Sequence, residues 1–319
     1  MGPSDTRYAI ACAFDESFAI PAAVALRSIS IHWKADQPVY VFVLDGGITE
    51  PVRRRVEQSV DPSTLRINWC TVDREFFCGL PARMHRNLLS IYRFAVGEVI
   101  PNSVERAVWI DVDVMVNRCM AELWHIDLGV NPIAAVQDMA IPWISSPLGL
   151  RKSERKEMPE NTPYFNSGLV VIDMDKWRDA QSDRRLMRLL KTQPWGVRHQ
   201  DQHAMNVLYL DNWTALDPRW NVISSLAGRS YYRGPSSHLP ELLENPWMVH
   251  YAGFFKPWKM ATNSPFAKDF IGMLAQCAFP PITHHNHASL CSFYDRYLRE
   301  VLYPVERVFW RTRQRVFGN

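Results

Sequence analysis

Apolar residues fall in short unbroken runs along the first third of the chain. Tyr8 to Phe14 (YAIACAF) and Val39 to Leu44 (VYVFVL) have strand length, and an apolar run without polar alternation predicts a strand buried on both faces; Leu65 to Val72 gives a third strand. Between them the pattern changes. Pro21 to Trp33 is apolar at helical spacing, and Thr49 to Ser59 carries spaced charges with Pro51 near its start, so both read as helices. Asp45-Gly46-Gly47 closes the second strand as a turn. Strands alternating with helices imply β-α-β units. The fold class predicted is α/β, a Rossmann-like, mainly parallel sheet with helices on both faces.

Sheets of that kind bind ligands in the crevice beyond the carboxyl ends of their strands. Asp15 follows the first run, and Asp111 closes Arg106 to Ile110 (RAVWI). The runs Ile133 to Val136 and Gly168 to Ile172 lead into Asp138 and Asp173, which are expected at the same edge. Ser145 to Pro163 is polar, charged and interrupted by proline, and reads as a long surface loop or lid.

Asp111-Val112-Asp113 is the sharpest chemical feature. Two carboxylates one residue apart at a strand end are hard oxygen ligands that can converge on Mn²⁺ or Mg²⁺. His250-Tyr251-Ala252-Gly253-Phe254-Phe255-Lys256-Pro257-Trp258 offers a nitrogen ligand, a glycine that lets backbone approach a phosphate, and a lysine able to neutralise diphosphate oxygens. Phe165-Asn166-Ser167-Gly168 reads as a polar turn before a strand. Gln200-Asp201-Gln202, with Asn206, supplies amides and carboxylates suited to sugar hydroxyls, although Asp201 also fits the plain role of a helix N-terminal carboxylate.

The order WIDVDVMV, FNSGLVVIDMDKW, HQDQHAMN, HYAGFFKPW resembles glycosyltransferase family 8, over roughly Tyr8 to Trp258. The resemblance implies a GT-A fold, a UDP-hexose donor (galactose or glucose), Mn²⁺ dependence and retention of anomeric configuration. It also assigns roles. Asp111, Asp113 and His250 match the metal ligands. Ala13, Asp15 and Ser17 match the loop that holds uracil and ribose. His85, Ser90 and Arg93 match contacts near donor and acceptor, and Val112 joins the donor-binding set. Asp138, Asn166, Asp201 and Gln202 match residues around the transferred sugar, and Gly253 and Lys256 match the diphosphate clamp. Ser17 departs from the pattern, since many relatives have Asn there. Asp201, Gln202, Asp138 and Lys256 form the catalytic set. Retention can arise by double displacement, with Gln202 or Asp201 as nucleophile, or by attack on the face from which the diphosphate leaves; the second route is favoured because a neutral amide is a poor nucleophile. The alternatives are a self-glucosylating enzyme like glycogenin and a non-catalytic nucleotide-sugar-binding protein.

Composition narrows the partners. Of 319 residues, 47% are hydrophobic and 22% charged, with a net charge of +3 that gives no reason to expect nucleic acid. The six cysteines form no C-x-x-C pair and read as reduced, in keeping with a cytoplasmic protein. No apolar stretch reaches the length of a spanning helix. The chain divides into a catalytic domain over 1–265 and a helical, basic C-terminal extension over 266–319. Tyr294 to Asn319 holds six arginines and six aromatic residues, a composition suited to peripheral contact with an anionic membrane surface on its inner face; the alternative is a terminal helix packed on the domain, or a dimer contact, with its arginines solvated. The acceptor expected is a saccharide or a glycolipid.

Overall fold

The computed structural model describes residues 7–82, 84, 88–155, 157–192, 200–224, 239–253, 256–259 and 266–282. The basic tail beyond 282, and with it the expected membrane contact, lies outside these residues, as does His85.

Among the described residues, ten strands form two sheets. They are β1 (Ala9–Phe14), β2 (Val39–Asp45), β3 (Leu65–Cys70), β4 (Arg106–Ile110), β5 (Val114–Val116), β6 (Ile133–Gln137), β7 (Phe165–Asp173), β8 (Trp213–Ala215), β9 (Val222–Ile223) and β10 (Met248–His250). The larger sheet runs β3-β2-β1-β4-β7-β6-β8, and the smaller runs β5-β10-β9. The helices are α1 (Ala19–His32), α2 (Glu50–Gln58), α3 (Leu88–Ile91), α4 (Val96–Val99), α5 (Met174–Asp179), α6 (Ser182–Thr192), α7 (Gln200–Tyr209), α8 (Leu239–Glu244) and α9 (Ala267–Leu274).

The apolar runs are explained by burial on both sides. Alternate residues of a strand point to opposite faces. In β1 and the residue before it, Tyr8, Ile10, Cys12 and Phe14 pack with Leu26 and Ile29 of α1, while Ala9 and Ala11 face Phe94, Trp109, Val170 and Trp177 on the other side. Neither face meets water, so neither needs polar residues. Helix α1 is itself apolar all round because it lies between layers. Ala25 and Leu26 join the core beneath the larger sheet, and Val24 joins the cluster of Met115, Val249, Tyr251 and Phe270. Pro21 falls in its first turn, where a missing N–H costs nothing. Phe270 and Leu274 of α9 are buried in that second cluster.

Two expectations are corrected. β7 pairs antiparallel with both β4 and β6, while the other pairs of the larger sheet are parallel. Asp173 therefore lies at the opposite edge from Asp111, pairs in register with Arg106, and caps α5 by accepting from Lys176 N. The same reversal brings the start of β7 to the binding edge. Phe165-Asn166-Ser167-Gly168 is thus part of the strand rather than a turn before it. The described residues from Ser145 to Pro163 hold no helix or long strand, yet they are pinned down: Trp143 bridges Pro163, and Ile144, Leu150, Tyr164 and Leu210 form a small core beneath them. No described helix is long and apolar enough to cross a membrane.

Candidate active site

A cleft of about 520 Å³ opens at the carboxyl ends of β1 and β4. Ala13, Asp15, Ser17, Ser90, Arg93, Asp111, Val112 and Asp113 line it, together with Tyr92 and Trp109. Asp15 Oδ1 accepts from the Ser17 amide at 2.9 Å and from its hydroxyl at 2.6 Å, so the turn after β1 is closed locally.

Asp111 and Asp113 leave β4 and flank Val112 as the chain turns into β5. β10 pairs antiparallel with β5, setting His250 opposite Val114. The Tyr251 amide donates to the Asp113 carbonyl at 2.8 Å. His250 Nε2 thereby lies 3.2 Å from Asp113 Oδ1 and 4.0 Å from Asp111 Oδ2. These three are the one cluster of metal-ligating side chains among the described residues, with one ligand atom of each within 4.8 Å of the others. Two carboxylates and an imidazole suit Mn²⁺, or Mg²⁺ with its preference for oxygen.

Two cations hold the carboxylates. Lys256 Nζ donates to Asp113 Oδ2 and to the Tyr251 carbonyl. Burial works against ionisation of Asp113, but Lys256 and His250 outweigh it and hold the carboxyl far below the usual carboxylate range. Burial pushes Asp111 up, and Arg93 only partly offsets it. Gly253 has φ +89°, the left-handed region where a side chain is strained, just before Lys256.

Arg93 is the hub of the wall. Its side chain is almost fully buried and lies over the Trp109 ring. It donates to the Ser90 carbonyl at 2.9 Å, the Ser167 carbonyl at 2.8 Å, the Ser167 hydroxyl, and Asp111 Oδ1 at 2.8 Å, and it pairs with Asp201 Oδ2 at 3.0 Å. Asp201, at the start of α7, is thus committed to a cation in the wall. Gln202 is committed at both ends: Nε2 donates to Asp138 Oδ2 at 3.0 Å and Oε1 accepts from the Ser167 amide at 3.1 Å. Asp138 Oδ2 accepts from Asn166 as well, at 2.8 Å, while its Oδ1 takes the amides of Ala140 and Ile141.

The structure therefore brings together, among the described residues, the set Asp138, Asn166, Asp201 and Gln202, the set Asp111, Asp113 and His250, and the set Ala13, Asp15 and Ser17. Trp109, Tyr92 and Asn221 were missed. Trp109 donates to Asp111 Oδ1 at 3.1 Å. Asn221 contacts His250 Nδ1 at 2.9 Å; its setting in Asp217-Pro218-Arg219-Trp220-Asn221 carries no chemical signal of its own. The five cysteines among the described residues are unpaired, and burial pushes the Cys70 thiol up to about 11.

The family model described as "Glycosyl transferase family 8" matches residues 9–262. The chain is 27% identical to General stress protein A of Bacillus subtilis (strain 168) over 85% of this chain and 93% of that protein. It is 24% identical to lipopolysaccharide 1,2-glucosyltransferase of Escherichia coli (strain K12), over 90% and 83% respectively. Among solved structures it resembles galactosyltransferase LgtC in complex with donor and acceptor sugar analogues. That likeness has a TM-score of 0.71 at 24% identity and covers 86% of this chain and 97% of that one; it shows the shared GT-A fold.

Proposed function

We infer the reaction from one premise: the chain belongs to glycosyltransferase family 8. It is a glycosyltransferase, and its donor in this reading is a UDP-hexose. The observation that carries the reading is convergence: Asp111 and Asp113 meet His250, far from them in sequence, beside the cleft lined by Ala13, Asp15 and Ser17. These three side chains would hold Mn²⁺ or Mg²⁺, which when bound neutralises diphosphate charge as the leaving group departs. Lys256 supplies a second positive charge to the same oxygens, anchored by Asp113 and the Tyr251 carbonyl. Asp138, with Asn166 and Gln202 fixed on it, forms the wall beside which the sugar would lie in this reading.

The commitments of Asp201 and Gln202 bear on stereochemistry. Either would have to break buried bonds to reach a sugar carbon as nucleophile. Attack of the acceptor hydroxyl on the face from which UDP leaves asks for no such rupture, and we favour it. The acceptor in this reading is a saccharide or a lipid-linked glycan, which the lipopolysaccharide transferase among the relatives supports.

The test is calorimetry of UDP-glucose and UDP-galactose with Mn²⁺, followed by product analysis with saccharide acceptors. Donor binding that Asp111→Asn abolishes, with transfer lost in EDTA, is the expected result. Label from the donor appearing on the protein itself would establish self-glucosylation instead. Binding without UDP release would establish a binding protein, and donor-independent turnover in EDTA would overturn the reading.

A further inference from the structure

We propose that the outer face of α6 carries a second binding site, for the phosphate ester of a sugar or polyol, separate from the cleft. None of its lining residues lines the cleft, so the site stands whether or not the transfer reading holds.

The site is a cavity of about 340 Å³ between α6 and the short helical turn Arg74–Phe77 that follows β3. Arg184, Met187, Arg188, Lys191 and Thr192 line it from the helix, and Phe76 lines it from the turn. Residues four and then three apart share one face of a helix, so Arg184, Arg188 and Lys191 stand in a row, all exposed. Beside that row Leu186, Met187 and Leu190 are buried in the core with Phe94 and Tyr209, which holds the helix at a fixed rotation. Like charges at this spacing repel, and the row calls for counter-charge. The chain supplies none there: among the described residues neither arginine nor the lysine pairs with a carboxylate. Asp183, the one acidic residue of α6, is engaged elsewhere, accepting from the Trp177 indole.

Size and lining say which anion fits. A volume of about 340 Å³ lies at the lower end of small-molecule pockets, which span about 300–1,000 Å³, and admits more than a lone ion. Guanidinium forks match phosphate oxygens in pairs, while Phe76 and the buried Met187 give an apolar side for a carbon skeleton to cover. Three cations confined to one small cavity suit a compact anion better than an extended acidic peptide. Gly79, with φ +79°, has no side chain to stand in the way of Lys191, whose Cε and Nζ pass 3.6 and 3.8 Å from where a Cβ would be. The ammonium therefore lies against the turn. Phe76 meets Phe77 edge to face at 5.1 Å, and Phe77 stacks at 4.9 Å on Tyr92, which lines the cleft. A layer of rings divides the two sites.

The test is calorimetry of the full-length protein in EDTA, so that no metal ion at Asp111, Asp113 and His250 contributes affinity. The probes are glucose 6-phosphate, inorganic phosphate and glucose. Glucose 6-phosphate should bind more tightly than either of the others; equal binding of all three would overturn the assignment. Arg184→Gln/Arg188→Gln should weaken it roughly 5- to 30-fold. Arg54→Gln/Arg55→Gln removes the same charge from exposed positions on α2 and should leave binding unchanged. Equal weakening in both double variants would mean a general charge effect and sink the proposal. So would no binding by wild type, or binding that the α6 variant leaves intact. Polyglutamate bound through α6 in place of glucose 6-phosphate would make the site one for an acidic protein and also overturn it. Co-sedimentation with phosphatidylglycerol vesicles then identifies the source of the phosphate, since the basic tail is the same in every variant. Vesicle binding weakened by Arg184→Gln/Arg188→Gln assigns the site to a lipid headgroup. Vesicle binding indifferent to that change, with glucose 6-phosphate binding lost, assigns it to a soluble phosphorylated sugar.

Discussion

Removing the charge of Arg93 should destabilise the protein far more than an ordinary single substitution. In Arg93→Met the side chain keeps most of its length and its apolar contact with Trp109, but five polar partners lose their donor: Ser90, Ser167 through both its oxygens, Asp111 and Asp201. Asp201 is the costly one, because its side chain is only 8% exposed and cannot turn to water. Stripping one partner from a buried ion pair costs about 3–5 kcal/mol, whereas most point mutants cost near 1. For a chain of this size that corresponds to a melting-temperature drop of roughly 4–8 °C. The pH dependence identifies the cause. Burial already pushes Asp111 up against the pull of Arg93; without Arg93 its folded-state value rises further above the unfolded one. Such a group contributes stability that is present at low pH and lost as pH rises through the folded value. The deficit of Arg93→Met should thus be larger at pH 8 than at pH 5. The assay is urea denaturation of both proteins across that range, with Arg93→Met/Asp201→Asn as a partial rescue. A variant melting within about 2 °C of wild type, or a deficit unchanged by pH, would refute the electrostatic reasoning.

Gly168→Ala should lower stability by about 1–3 kcal/mol and weaken Mn²⁺ binding measured by calorimetry, because the new methyl would meet His250 Cε1 at 2.5 Å and Asn166 Oδ1 at 2.9 Å. Lys256→Ala should depress kcat more than donor affinity if the lysine acts as charge develops on the diphosphate; steady-state kinetics showing a change in KM alone would make it a ground-state binder. Asp183 is an independent test of buried charge: burial raises its carboxyl to about 7, outweighing the hydrogen bonds from Trp177 and the Gly97 amide. Its folded value exceeds its unfolded one, so wild type should lose a few kcal/mol, in order of magnitude, between about pH 4 and pH 7. Asp183→Asn should flatten that part of the denaturation profile.

Much of the scaffold was legible in the chain because burial leaves a local mark. Strands covered on both faces are apolar throughout, and YAIACAF, VYVFVL and RAVWI could be read as such with no knowledge of their neighbours. Asp111 and Asp113 were legible for the same reason, as charges placed where an apolar run stops. Direction was not legible. Periodicity is the same read forwards or backwards in the sheet, so GLVVI looked like one more parallel strand, and Asp173 was expected at the binding edge.

Partnership, too, was settled only by tertiary structure. The motifs marked Arg93, Asp201 and Gln202 as near the site, but nothing local says that Arg93 bridges Asp111 and Asp201, or that both ends of the Gln202 amide are taken. Asn221 left no signal at all, since an asparagine after a tryptophan is compatible with any turn. Its contact with His250 exists only because β10 lies between β5 and β9 and lays His250 against it. A side chain's apolar or polar character is set by how much water it meets, which a few neighbouring residues reveal; its hydrogen-bond partner is set by distances of 3 Å between segments tens of residues or more apart, which only the folded chain can bring about.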